Sequence, residues 1–189
     1  MDESKVEASS PEKIPVALAL AKARAARDSA HYDLVIAADT VVIDESRILG
    51  KPEGKAGAFQ MLQNLRDHSH KVVTAIAIHH VETGHIEVES CETSVPMRAY
   101  SDTEIETYVQ SGSPMDKAGA YGIQDSSFSP VDQGRLRGCY ANVMGLPLCH
   151  LSRAMRSLGY PAKADVPAAC EQETGYVCPV YRAILRGEE

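Results

Sequence analysis

Residues 33–43, Asp-Leu-Val-Ile-Ala-Ala-Asp-Thr-Val-Val-Ile, form a nearly unbroken apolar run rich in β-branched side chains. That pattern predicts a strand buried on both faces. A second β-rich run covers 71–82, turns at Thr83-Gly84, and returns from Ile86 towards Met97, which predicts a hairpin. Asp44-Glu45-Ser46-Arg47 turns the chain into Ile48-Leu49-Gly50. Helical spacing marks 10–30, with Ser10 as cap, Pro11 in the first turn and an Ala-rich face. It also marks 53–67 and about 147–158. Ser101-Asp102-Thr103-Glu104 is a capping box that opens a helix through about Val109, closed by Gly112. Residues 112–146 are Gly-rich and weakly periodic, a length of loop that is usually functional or holds short strands. Strands alternating with helices, plus a hairpin, predict an α/β fold with a mixed sheet.

The 189 residues suit one domain. Trp is absent and Phe occurs twice, so the core must be largely aliphatic. The net charge of −7 gives no general attraction to phosphate backbones or anionic lipid, so nucleic acid and membrane are not expected ligands. A small anion remains compatible, because a few lysines can oppose the global sign locally. No apolar run approaches the ~20 residues of a membrane span, and Met1-Asp2-Glu3-Ser4-Lys5 does not read as a signal peptide. Five cysteines without CxxC spacing point to reduced thiols and a cytoplasmic protein, with a Cys170–Cys178 pair as the alternative.

Some residues stand out chemically. Asp39 lies inside the apolar strand, where a carboxylate must end the buried stretch, face a cleft or meet a cation; capping a loop is the plainer reading. Gly50-Lys51-Pro52 is either a turn with a solvated ammonium or a corner that presents Lys51 to a cleft. Asp116-Lys117-Ala118-Gly119-Ala120-Tyr121-Gly122-Ile123-Gln124 lets backbone approach a ligand, and Gln124 offers both a donor and an acceptor to a base edge. Asn142-Val143-Met144-Gly145-Leu146-Pro147 is a compact turn into the next helix. His79 and His80 must point to opposite faces of their strand, and His68 and His70 lack zinc-like companions, so all four read as non-ligands.

Together with Asp2-Glu3-Ser4, Leu20-Ala21-Lys22-Ala23, Ala38-Asp39-Thr40-Val41-Val42 and Leu49-Gly50-Lys51-Pro52, these segments resemble the Maf family of nucleotide pyrophosphatases. The matching stretches occur in family order across roughly residues 2–158. The resemblance implies an elongated sheet flanked by helices, like the inosine-triphosphate pyrophosphatases, with a cleft between two lobes. It implies hydrolysis of a nucleoside triphosphate to the monophosphate and diphosphate, aided by a divalent cation, Mg or Mn. By resemblance Asp39 is the proton acceptor for the attacking water. Glu3 and Asp39 lie near the metal, and Lys22, Lys51 and Lys117 face the phosphates. Thr40 and Gln124 bear on substrate choice and resemble the dTTP/UTP branch. A nucleoside triphosphate is thus the expected partner, with a homodimer left open.

The resemblance also carries departures. Family members have an upstream strand and a Ser-x-Ser-Pro-Arg-Arg loop, whereas this sequence starts at the Asp-Glu-Ser match. The expectation is therefore a Maf-like domain over 1–160 that is N-terminally incomplete, followed by a tail, 161–189, of no assigned role. Loss of a strand would leave an unpaired sheet edge. Cys139 stands where the family usually has an acid before Tyr140. A relative that binds nucleotide without hydrolysing it, having lost the phosphate cradle, is the alternative reading.

Overall fold

A computed structural model describes residues 8–27 and 32–188. Glu3, assigned by resemblance to the metal, lies outside the described residues. Within them the elements run α1 (Ile14–Arg27), β1 (Leu34–Asp44), β2 (Arg47–Leu49), α2 (Gly54–Leu65), β3 (Ser69–His80), β4 (Ile86–Pro96) and α3 (Asp102–Gln110). After a loop of short 3-10 turns come α4 (Tyr140–Val143), α5 (Leu148–Ser157), α6 (Val166–Thr174) and α7 (Tyr181–Arg186). The α/β expectation stands. The strands are ordered β2-β1-β3-β4.

The turn at Glu45, which takes φ 55°, sets the antiparallel register Val42↔Leu49, Ile43↔Ile48 and Asp44↔Arg47. The Val81 amide donates to Asp33 at 2.8 Å, joining the end of β3 to the start of β1. The Thr83-Gly84 turn closes the hairpin, with Gly84 at φ +72° and its amide on His80 O. Among the described residues, then, the pairing is antiparallel rather than mixed. β2 pairs only with Val42–Asp44, so no described strand lies along the outer side of the first part of β1. Burial on both faces is correspondingly confined to Val41–Ile43, and the rest of β1 is half-buried or exposed.

Contacts divide the chain into two compact units, one from residues up to 40, 73–92 and 138 onward, the other from 41–72 and 93–137. In the first unit β3 alternates between two helices. Ala75 and Ala77 pack on Ala19 and Ala23 of α1, and the small side chains on both sides permit a close approach. Ile76 and Ile78 face the other way, onto Ala154, Leu151 and Met155 of α5. Helix α1 starts after a 3-10 turn at Pro11–Lys13, and the Ser10 side chain makes no capping bond. In the second unit α2 packs on α3. The Tyr100 hydroxyl donates to Leu62 O at 2.8 Å, and Leu62, Leu65, Ile105 and Met97 are fully buried.

The stretch after Pro161 forms two helices. Asp165 caps α6 by accepting from the Ala168 amide at 3.1 Å, and Gly175 ends it in the left-handed region. Ile184 of α7 is buried against Cys91, Cys139, Ala141 and Cys149, with Cys170, Val166 and Tyr181 packed around them. Arg153 clasps Glu89 with two bonds of 2.9 and 2.6 Å and donates a third, of 2.6 Å, to Ile184 O. All five thiols are free. Burial pushes the Cys149 thiol up to about 12, helped by nearby Cys139, Cys178 and Cys170, so it stays protonated. No described helix is long and apolar enough to cross a membrane.

Candidate active site

In the first unit, period 2 along β1 and a helical turn on α1 bring Asp39 to Lys22. Lys22 Nζ donates to Asp39 Oδ1 at 2.6 Å, with the Asp39 side chain 10% exposed. The strand continues five residues beyond Asp39, so the carboxylate does not end it; what compensates its burial is the ammonium. Its neighbour Thr40 points to the other side. There its hydroxyl lies 2.9 Å from that of Thr74, which in turn donates to Asn142 O at 3.1 Å. The same carbonyl accepts the Gly145 amide at 2.9 Å. Gly145 takes φ +101°, and a Cβ there would sit 3.4 Å from Thr40 Oγ1. The Asn142–Pro147 turn therefore holds Thr40 as well as starting α5. Thr74 carries no mark in the sequence that would single it out.

In the second unit, the Gly50-Lys51-Pro52 corner and the 116–124 loop are tied together. The Gly119 amide donates to Gly50 O at 3.1 Å. Gly119 has φ +74°, and a Cβ would press on Val42 and Tyr121 at 3.2 Å, so backbone geometry and packing both require glycine here. Lys51 is exposed. Lys117 Nζ donates to Ser113 O at 2.5 Å and to Asp116 Oδ1 at 3.0 Å. The hydrogen bond and charge of Lys117, with the charge of Lys51 adding to them, hold the Asp116 carboxyl below its ordinary range. Gln124 is exposed and makes no side-chain hydrogen bond among the described residues. The next residue, Asp125, was not a candidate. Its carboxylate accepts from the Tyr108 hydroxyl and, at 2.9 Å, from Ser113 Oγ.

His70 is buried in the same unit, with Nε2 2.7 Å from the Tyr121 hydroxyl. Burial lowers its pKa to about 4, against a partly opposing Asp44, so the ring is neutral at pH 7. His68 pairs with Asp44 at 2.8 Å. Among the described residues no group of three or more His, Cys, Asp or Glu side chains is arranged to hold a metal ion. The described residues thus offer single carboxylates and no preformed cage.

The profile of the Maf-like protein family matches residues 1–158. The chain belongs to the Maf-like family. Similar Maf-like relatives include the dTTP/UTP pyrophosphatase of Dehalococcoides mccartyi, 42% identical over 153 residues, which are 81% of this chain and 67% of that protein. That of Syntrophomonas wolfei is 44% identical over 138 residues, 73% of this chain and 72% of the relative. That of Thermomicrobium roseum is 40% identical over 176 residues, 91% of this chain and 77% of the relative. The Dehalococcoides mccartyi match therefore spans about two thirds of that relative's length.

Proposed function

We propose that the chain is a hydrolase that converts nucleoside triphosphates, dTTP and UTP foremost, to the monophosphate and diphosphate. The observation that carries this reading is the set of Maf-like relatives bearing the name dTTP/UTP pyrophosphatase at 40–44% identity. Relatives named for hydrolysis do not favour the non-catalytic alternative.

In this reading Asp39 takes a proton from water as the water oxygen bonds to the α-phosphorus. The bond from that phosphorus to the bridging oxygen then breaks, and diphosphate leaves. A positioned base of this kind contributes ~10²–10⁴-fold. Lys22, which bonds the Asp39 carboxylate, orients that base and, with Lys51 and Lys117, offsets charge on the phosphates. Thr40 and Gln124 bear on the base. A divalent cation, Mg or Mn, belongs to the proposal by family resemblance, with Glu3 and Asp39 as its carboxylates. Such an ion is commonly held by one or two carboxylates plus substrate phosphates, which needs no preformed cage. When bound it would polarise the phosphoryl oxygens. The same reading makes the chain cytoplasmic, with nucleotide rather than nucleic acid or membrane as its ligand, and leaves a homodimer to light scattering.

The test measures diphosphate release from dTTP, UTP, dCTP, dATP and GTP with Mg or Mn, and again with chelator. Fastest release from dTTP and UTP, stopped by chelator, is expected. Preference for a purine triphosphate sinks the specificity, and release from none of the five sinks the activity.

A further inference from the structure

The loop that carries Lys117 and Gln124 has no regular ladder to hold it, yet two of its side chains and one from α3 meet at one carboxylate. Asp125 Oδ2 accepts from the Tyr108 hydroxyl of α3 and from Ser113 Oγ at 2.9 Å. Lys117 Nζ stands 3.9 Å from the same oxygen. The Tyr108 hydroxyl, whose proton is directed at Asp125, accepts the Gly122 amide at 3.3 Å. Gly122 itself is packed so closely that a Cβ would lie 2.9 Å from Asp125 Cγ. The Asp125 main chain completes the clasp, its amide bonding Gly122 O at 3.1 Å and its carbonyl accepting from the Ser129 amide at 2.9 Å. Both ends of the 113–125 segment, and the turn at Gly122, are thereby fixed to the buried phenol of α3.

We propose that Asp125 is a positioning residue of the nucleotide site, whose carboxylate clamps Tyr108, Ser113 and the Gly122 turn so that Lys117 and Gln124 are held ready for phosphate and base. This rests on the reading of Lys117 and Gln124 given above. The exposed amide of Gln124 adjoins Asp125 in the chain, so its direction follows from the backbone that the carboxylate fixes. Lys117 keeps its main bonds to Ser113 and Asp116, and Asp125 provides a charge just beyond hydrogen-bond range. At that distance Asp125 acts on the ammonium through charge alone, so no hydrogen bond to Asp125 has to break when Lys117 turns to a phosphate.

The experiment compares wild type with Asp125→Ala, Asp125→Asn and Tyr108→Phe. It reads KM and kcat for dTTP and dCTP, and binding of α,β-imido-dTTP, which cannot be cleaved at that link. Asp125→Ala is expected to raise KM for dTTP by roughly tenfold, the worth of one charge-assisted hydrogen bond, and to shrink the dTTP-over-dCTP ratio of kcat/KM. Asp125→Asn is expected to recover part of both, since its amide oxygen still accepts from Tyr108. Unchanged KM and unchanged base ratio in Asp125→Ala overturn the proposal, as does a loss confined to kcat or to melting temperature. Should Asp125→Ala not fold, Tyr108→Phe is judged on the same two quantities, because its ring keeps the stack on Phe128 at 4.4 Å. A wild type that binds the imido analogue but releases no diphosphate overturns the hydrolase reading, and the binding ratio then judges Asp125. A wild type that neither binds nor hydrolyses overturns both.

Discussion

Lys22 and Asp39 form an ion pair short enough, at 2.6 Å, to define each other's orientation. Replacing the acid by its near-isosteric amide keeps the volume and removes the proton acceptor. Asp39→Asn is therefore expected to lower diphosphate release from dTTP by ~10²–10⁴-fold while the melting temperature moves little, since the half-exposed Lys22 can turn to water. Equal rates for the two proteins would remove Asp39 from the role of base. His70 allows a second prediction at this scale. Its folded pKa, about 4, lies below the unfolded 6.5, because burial penalises the charged ring. Between those values the unfolded chain binds a proton that the folded one refuses, so stability falls as pH drops from 6.5 to 4. The loss approaches ~3 kcal/mol. Denaturant melts across that window should show the decline in wild type and a flatter profile in His70→Gln, whose longer amide reaches towards the place of Nε2 and the Tyr121 hydroxyl. The sequence alone leaves His70 a non-ligand just ahead of the 71–82 run, because nothing in its spacing announces the Tyr121 hydroxyl 51 positions away.

The elements that were legible are those in which local chemistry and burial agree. The capping box is an example: Ser101 Oγ accepts the Glu104 amide, and Glu104 returns a bond to the Ser101 amide at 2.8 Å. That backbone bond, with Arg98 and the Ser101 hydroxyl, depresses the Glu104 carboxyl to about 2. A folded pKa below the unfolded 4.5 means a contribution present above pH 4.5 and lost as pH falls towards 2. Circular dichroism melts at pH 6 and pH 3 should show this decline in wild type and less of it in Glu104→Gln. Ser101→Ala should cost ~1 kcal/mol at either pH. Strands β1 and β3 were equally clear, whereas the character of 112–137 was not. Its 3-10 turns at Ser113–Asp116, Ala118–Ala120 and Gln133–Arg135 are each too short to show a period. It is tied instead by isolated bridges, Ser94↔Arg137 and Met97↔Val131. Helices α6 and α7 escaped for a related reason: α6 buries no residue and α7 only Ile184, so neither leaves an apolar stripe. For the candidate site, the motifs named Asp39, Thr40, Lys117 and Gln124, but the groups that hold them, Thr74, Tyr108 and Asp125, became visible only through tertiary contact.

At the scale of the whole molecule, the segment after Pro161 is held in the first unit by the buried Ile184 with its apolar neighbours, by Arg153 and Arg156 on carbonyls of α7, and by Tyr176 stacked on Tyr140. Ile184→Ala removes the buried anchor and is expected to cost ~2–5 kcal/mol, read as a lowered melting temperature. An unchanged melt would show that α7 adds nothing to the stability of its unit. Elements with so little buried surface open first, well before global unfolding. Because the pocket they cover is lined by Cys139, Cys149, Cys170 and Cys178, each opening momentarily presents sulfur to solvent. The chain thus contains its own stopwatch. With a disulfide reagent in excess, Cys170 and Cys178, which are partly accessible, should be titrated early, and Cys139 and Cys149 at the pace at which the two terminal helices lift away.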